Sequence, residues 1–324
     1  MERASHQPAI GRRSRAPAGA IASAQPAVAA TAGAADVTGP LRIFQIHYAD
    51  WHRPLLDPAF APFDNHGVPD ELLEFAVFEN LAGSDRVDGA ELWGALSWRF
   101  AEKTGMSGAE LVTAIEAAPG HDVYYCNPFP DIEALYHNLW VQGETVHKDF
   151  LALVRPLLAA AGVNPEETML VEPSVGFSVA NYFIGSPAFW AAYLPFVRRI
   201  LAAVDRDLPT SVQAMLHSTA GDARGIHGGA TYLPFIVERL FPLFMRTDGA
   251  ALSAHKIALP AAEAAMDVHL VMLRDLKDAA WRTRSPWLAA CWANYRSLYL
   301  KQHHGKAWCG QFLRAITPTD IRFA

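Results

Sequence analysis

The stretch HDVYYCNPFPDIEALYHNLWVQGE, residues 121–144, holds the change of character on which the fold reading turns. Its first part, residues 122–126, is rich in β-branched and aromatic side chains, which suit a pleated, half-buried surface. The next segment, Asn127-Pro128-Phe129-Pro130-Asp131, contains two prolines that cannot donate to a ladder. A central strand therefore ends at Cys126. Residues 132–140 then read as a short helical stretch. This gathers Asn127, Asp131, His137, Asn138, Gln142 and Glu144 around the carboxyl end of that strand, where open α/β sheets bind ligands. Taken singly, these residues have plainer uses: Asn127 and Asp131 form turns, Asp131 caps a helix and Trp140 fills core.

Working outward, the same alternation of strand and helix recurs on the N-terminal side. Residues 41–48 (LRIFQIHY) alternate as a first strand, and residues 50–69 form an aromatic, proline-containing loop, either a binding loop or a packed Ω-type segment, with His52, Arg53, Asp57, Asp64, Asn65 and His66. Residues 70–81 carry Leu72, Phe75, Phe78 and Leu81 on one helical stripe. WGALSWRF, residues 93–100, is a further strand, followed by a turn over 103–108 and a helix over 109–118 that Pro119-Gly120 stops. Such alternation predicts an α/β fold with a mostly parallel sheet.

The C-terminal side is more helical. Residues 150–161 form a helix that Pro156 should kink or shorten, residues 168–185 read as strand, loop, strand, and a long helix runs from Ser186 to before Pro209. The Gly-rich segment 218–229 suits a mobile lid, without the ending of a phosphate-binding P-loop. Residues 232–245 (YLPFIVERLFPLFM) are apolar on nearly every side except at Glu238-Arg239. That pair is either an internal salt bridge or a general base tuned by burial with an arginine beside it. A short run at 251–259 and two helices, over 260–282 and 286–301, complete the chain; His303-His304 has no third ligand in register.

Composition sets the bounds. The chain has 324 residues, 51% of them hydrophobic, and Lys+Arg 27 against Asp+Glu 33 gives 27 − 33 = −6, without long blocks of one sign. A nucleic-acid surface is not indicated. Cys126, Cys291 and Cys309 are odd in number and widely spaced, which suits a reducing, cytoplasmic setting and no disulfide framework. No run reaches the length of a membrane span, and the Ala/Pro/Gly-rich residues 1–40 lack the bulky apolar content that ordering needs. The organisation read from this is a disordered tail over 1–40, a catalytic domain over 41–250 and a helical extension over 251–324 packed on it.

Several of these stretches together resemble a poorly characterised family of GT-A-like glycosyltransferases of bacterial surface-polysaccharide synthesis. They are FAVFENL (75–81), WGALSWRFAEKTGMSG (93–108), HDVYYCNPFPD with HNLWVQGE (121–144), ANYFIGSPAFW (180–190) and YLPFIVERLF (232–241). The resemblance covers about residues 41–248. It implies a GT-A-like domain that takes a sugar from a nucleotide-sugar donor and transfers it to a hydroxyl of a glycan acceptor, which can be lipid-linked. It therefore also implies a place in the cytoplasm or at the periphery of the inner membrane.

Carried over by position, Glu238 is the catalytic base, and Asp131 stands where such folds bear a metal-binding Asp-x-Asp. That motif is absent here, so Asp131 is the single carboxylate offered to Mg or Mn, and Arg53, Arg99, Lys103 or His137 are the charges that would replace the ion. Asn127, His137, Asn138, Trp140, Gln142, Glu144, Arg239, Arg53 and Arg99 fill the substrate-binding roles. Two other readings stand beside this one. One is a non-catalytic carbohydrate- or nucleotide-binding protein on the same fold; the other is a hydrolase using Asp131 and Glu144 as paired carboxylates.

Overall fold

The computed structural model describes residues 40–67, 71–220, 229–313 and 318–324. The tail expected over 1–40 and most of the lid expected over 218–229 lie outside the described residues. In chain order the elements are β1 (Leu41–His47), β2 (Ala61–Asp64), α1 (Glu74–Ala82), β3 (Leu92–Ser97), α2 (Phe100–Thr104), α3 (Gly108–Glu116), β4 (Val123–Tyr125), α4 (Pro130–Leu135), α5 (Leu139–Val146), α6 (Phe150–Ala160), β5 (Phe183–Gly185), α7 (Pro187–Asp207), α8 (Thr210–Leu216), α9 (Tyr232–Val237), α10 (Leu240–Arg246), β6 (Ala254–Lys256), α11 (Pro260–Ala264), α12 (Val268–Thr283) and α13 (Pro286–Phe312).

The strands form one sheet in the order β2-β1-β3-β5-β4-β6. All neighbouring pairs are parallel except those of β5, which runs antiparallel between β3 and β4. The fold is therefore α/β, with a mostly parallel sheet. Alternation along each strand sends side chains into two cores. Phe44, Ile46, Trp93, Val123, Tyr125 and Phe183 face a large core with α1, α6, α7, α9 and α10, whereas Ile43, Tyr124 and Ile184 face a smaller one with α2 and α3. Burial on both faces explains why β4 reads as an almost continuous apolar run.

Several boundaries follow from capping chemistry. Ser107 and Glu110 close a reciprocal capping box on α3, and Ser186 caps α7 by accepting from the Phe189 amide. Pro156 and Pro195 sit inside α6 and α7 without ending either helix, because the surrounding apolar face is held by the core. In contrast, residues 232–245 form two helices rather than one. Pro242 cannot donate to the carbonyl of Glu238 four residues earlier and its ring crowds that carbonyl, so the chain breaks at Glu238-Arg239. The segment over residues 50–67 contains a 3₁₀ turn (Asp50–Leu55) and the short edge strand β2, where Pro62 is tolerated.

Gly94 shows how closely β3 and β5 approach. A Cβ at this position would lie 2.5 Å from the Phe183 carbonyl oxygen, which is backbone and has no room to yield. Gly94→Ala is expected to destabilise the protein by about 1–3 kcal/mol, read as a lower denaturant midpoint at an unchanged slope.

The C-terminal helices α12 and α13 form a hairpin against α4. Trp292 Nε1 donates to the Ala134 carbonyl at 2.8 Å, and fully buried Lys277 donates to the Tyr136 carbonyl at 3.0 Å while its ammonium lies 4.0 Å over the Phe177 ring. Among the described residues, no helix is long and apolar enough to cross a membrane.

Candidate functional site

The strand order places the site. From β1 the chain moves to β2 on one side, then returns past β1 to β3 on the other, so the order reverses between β1 and β3. The crevice outside the carboxyl ends at such a reversal is where open α/β sheets take ligands. Here β1 ends at His47 and β3 at Ser97, and the residues that follow them are polar and aromatic.

The loop after β1 is tied down firmly. Buried Gln45 accepts from the Asp57 amide at 2.6 Å, and Asp57 in turn accepts from the Gly108 amide at the start of α3 at 2.7 Å. His52 accepts from the Tyr48 amide at 3.1 Å and stacks on Trp98 at 4.1 Å with the rings 17° apart. Trp51 crosses Trp98 edge-on at 5.2 Å and remains 64% exposed. The rim of the crevice is thus an aromatic ledge on a rigid base, a surface suited to the flat face of a sugar or a base.

Inside the ledge lies a group of polar and ionisable side chains from β3, α1, α2 and the segments that connect the elements. Ser97 Oγ and the Tyr182 hydroxyl are 2.7 Å apart, and Lys103 of α2 lies 5.6 Å over the Tyr182 ring. Burial holds the phenols of Tyr48 and Tyr182 well above their ordinary value, and the charge of Glu74 at the start of α1 pushes both further the same way. Glu238 belongs to this group. Burial raises its carboxyl to about 7; the Arg239 charge opposes this, Glu74 adds to it and Lys103 opposes it. Two carboxylates and one lysine therefore share a partly dehydrated space, and one of the carboxylates is poised to exchange a proton near neutrality.

The backbone leading to Tyr182 is strained. Ala180 and Asn181 take φ values of 72° and 54°, in the left-handed region that favours glycine. The buried Asn181 Oδ1 and Ser178 Oγ have no hydrogen-bond partner, and neither does His47 Nδ1 at the end of β1. Strain and unmet polar atoms at one edge of a sheet mark a place built for more than packing.

The residues expected around β4 are distributed differently. Asn127 donates to Glu133 Oε1 at 2.6 Å, and Lys256 donates to the same oxygen at 2.6 Å and to the Ser174 carbonyl at 2.7 Å. Burial pushes Glu133 up, and these two donors oppose it. Asn138 caps α5 and donates to the carbonyls of Thr168 and Leu170. His137 Nδ1 accepts from Arg296 at 3.1 Å, and burial holds its imidazole neutral. Trp140 is buried in the main core, and Glu144 accepts from the Leu151 amide at 2.7 Å. Each of these side chains is engaged in holding helices, and together they fasten α4, α5 and the C-terminal hairpin to the sheet.

Arg239 is likewise engaged. Its three nitrogens donate to the Leu139 carbonyl at 3.0 Å, the Phe235 carbonyl at 2.6 Å and Gln142 Oε1 at 2.6 Å, so they are not aimed at the crevice. Arg53 pairs with Asp64 at 2.8 Å and Arg99 with Glu102 at 2.7 Å. Asp131 lies in the first turn of α4, within electrostatic reach of Tyr299 of α13. Among the described residues, no group of three or more His, Cys, Asp or Glu side chains is arranged to hold a metal ion.

Of the residues singled out in the sequence, Glu238 and Lys103 lie within electrostatic reach of each other, with His52, Arg53 and Arg99 on the segments that follow β1 and β3. Glu74, Tyr48, Ser97 and Tyr182 were missed. The signal for Glu74 was a carboxylate at the start of an apolar helical stripe, the end nearest the ligand edge. Comparison with protein-family models, curated proteins and solved structures returns no match.

Proposed function

We propose that this chain is a glycosyltransferase of GT-A-like architecture that moves a sugar from a nucleotide-sugar donor to a hydroxyl of a glycan acceptor. The observation that carries the reading is the placement of Glu238, with a carboxyl near pKa 7, beside Glu74 and Lys103 at the strand-order reversal. The open sheet with its single antiparallel strand supports the architecture, and the sequence resemblance supports the reaction class.

In this reading the acceptor oxygen attacks the anomeric carbon of the donor, the bond from that carbon to the nucleoside diphosphate breaks, and the acceptor proton passes to Glu238. A base near pKa 7 suits that transfer at neutral pH. Lys103 supplies positive charge toward the departing diphosphate, and the Trp51–Trp98 ledge supplies a stacking surface.

The test is a thermal-shift panel of UDP-, GDP-, CMP- and dTDP-linked sugars on wild type and Glu238→Gln, each with and without Mn²⁺, paired with an assay for donor turnover. One nucleotide class is expected to stabilise both proteins, with turnover in wild type alone. Stabilisation without turnover in either protein would move the reading to a non-catalytic nucleotide- or carbohydrate-binding protein. The absence of any shift would remove the nucleotide-sugar reading.

A further inference from the structure

The C-terminal hairpin has an outward face that the site above does not use. On α13, Trp287, Cys291, Asn294, Leu298 and Lys301 recur at steps of four, three, four and three, so they share one stripe, and all are exposed. The opposite face, with Ala289, Trp292, Ala293, Arg296 and Leu300, is buried on α4 and α12. Trp287 is 71% exposed and Leu298 59%, although each is of a type that normally packs inside.

Charge distribution says what covers them. Residues 251–324 hold ten Lys/Arg and five Asp/Glu, 10 − 5 = +5, leaving −6 − 5 = −11 for residues 1–250. No Asp or Glu lies between Asp278 and Asp320, a span that carries Arg282, Arg284, Lys301 and Lys306, all exposed. Acidic groups do approach α13 at Tyr299, whose hydroxyl donates to Asp267 at 2.9 Å with Asp131 within electrostatic reach. The arginines precede Trp287 and the lysines follow Leu298. An exposed tryptophan and leucine between basic residues on an acid-free helix match a surface that rests in the headgroup layer of an anionic bilayer. A symmetric second copy would bring like charges together, and a nucleic acid would leave the apolar stripe in water.

We infer that the outer face of α13 docks on an anionic lipid surface, with Trp287 and Leu298 entering the interface and Arg282, Lys301 and Lys306 meeting phosphate headgroups, while Arg284 is held by the Ala324 carbonyl at 2.7 Å. This does not depend on the chemistry proposed for the crevice.

The full chain would be sedimented with vesicles of phosphatidylcholine alone and of phosphatidylcholine mixed with phosphatidylglycerol, at low and high salt. Binding is expected on the mixed vesicles only and should weaken with salt. Trp287→Ser with Leu298→Ser, which leaves every charge in place, should lower partitioning roughly tenfold or more, from the loss of two inserted apolar side chains. Lys301→Glu with Lys306→Glu should abolish the preference for anionic lipid. All four positions are exposed, and unchanged thermal unfolding would confirm that the variants fold. Equal binding by wild type and the Trp287/Leu298 variant, no binding to mixed vesicles, or a dimer in sedimentation equilibrium that this variant dissociates would each overturn the inference.

Discussion

Replacing Glu238 by glutamine is expected to lower sugar transfer by roughly 10²–10⁴-fold while leaving donor-induced stabilisation intact. Glutamine keeps the size of the side chain but takes no proton at neutral pH. The same substitution carries a thermodynamic signature with a fixed sign. A carboxyl whose folded pKa is raised from 4.5 to about 7 favours the folded state fully below 4.5 and loses that contribution as pH rises through 7. The interval is worth roughly 3 kcal/mol, and because the side chain is 23% exposed, about 2 kcal/mol is the better expectation. Between pH 4.5 and 8 the stability of Glu238→Gln should therefore rise relative to wild type by about that amount, measured by denaturant unfolding across pH. A constant difference would show that Glu238 is not dehydrated as the fold implies.

The second large effect is structural and lies one residue away. Arg239 is 3% exposed and satisfies the Leu139 and Phe235 carbonyls and the Gln142 side chain. Arg239→Met keeps much of the volume and removes all three donors, leaving buried acceptors without partners. A loss of roughly 3–5 kcal/mol is expected, seen as a clear drop in unfolding temperature. The substitution has a further consequence for Glu238, since Arg239 is the charge that most opposes the rise of its pKa. Glu238 should then titrate at still higher pH. A variant as stable as wild type would contradict the role of Arg239 as the clasp between α5 and α9.

These two predictions show why adjacent residues in one sequence motif part company. In the linear chain, Glu238 and Arg239 form a charged pair in an apolar run, and either a salt bridge or a catalytic pair fits. Pro242 breaks the helix at Glu238, so the two side chains leave the chain at a bend. Glu238 keeps 23% of its side chain exposed, and Arg239 turns inward to carbonyls on two helices. Their side chains approach only to 3.9 Å.

Much of the fold was legible for physical reasons. β1, β3 and β4 carry apolar residues that serve both faces of a parallel sheet, and α3 and α7 begin with serine caps that the sequence displays. β2 was hidden, because a four-residue edge strand containing Pro62 reads as loop. The antiparallel direction of β5 was hidden as well, since three residues give no sense of direction.

The location of the crevice was the least legible feature. Asn127, Asp131 and His137 were read together at the end of one strand, but which strand end forms the switch point depends on the order β2-β1-β3-β5-β4-β6. No local pattern encodes that order. The polar residues near β4 instead form the bonded network of Asn127, Glu133 and Lys256 that helps hold α4 and the C-terminal hairpin in place. The charge asymmetry of residues 251–324 was written in the sequence throughout, yet only the exposure of Trp287 and Leu298 gives it a direction.

The most direct test of the central claim is the pH dependence of kcat/KM for the donor that stabilises the protein, measured on wild type and Glu238→Gln. The account predicts that wild-type activity rises with pH through an ionisation near 7 and that the residual activity of the variant lacks this limb. A variant that keeps both the wild-type rate and the wild-type limb would contradict it, and would remove Glu238 from the chemistry of this site.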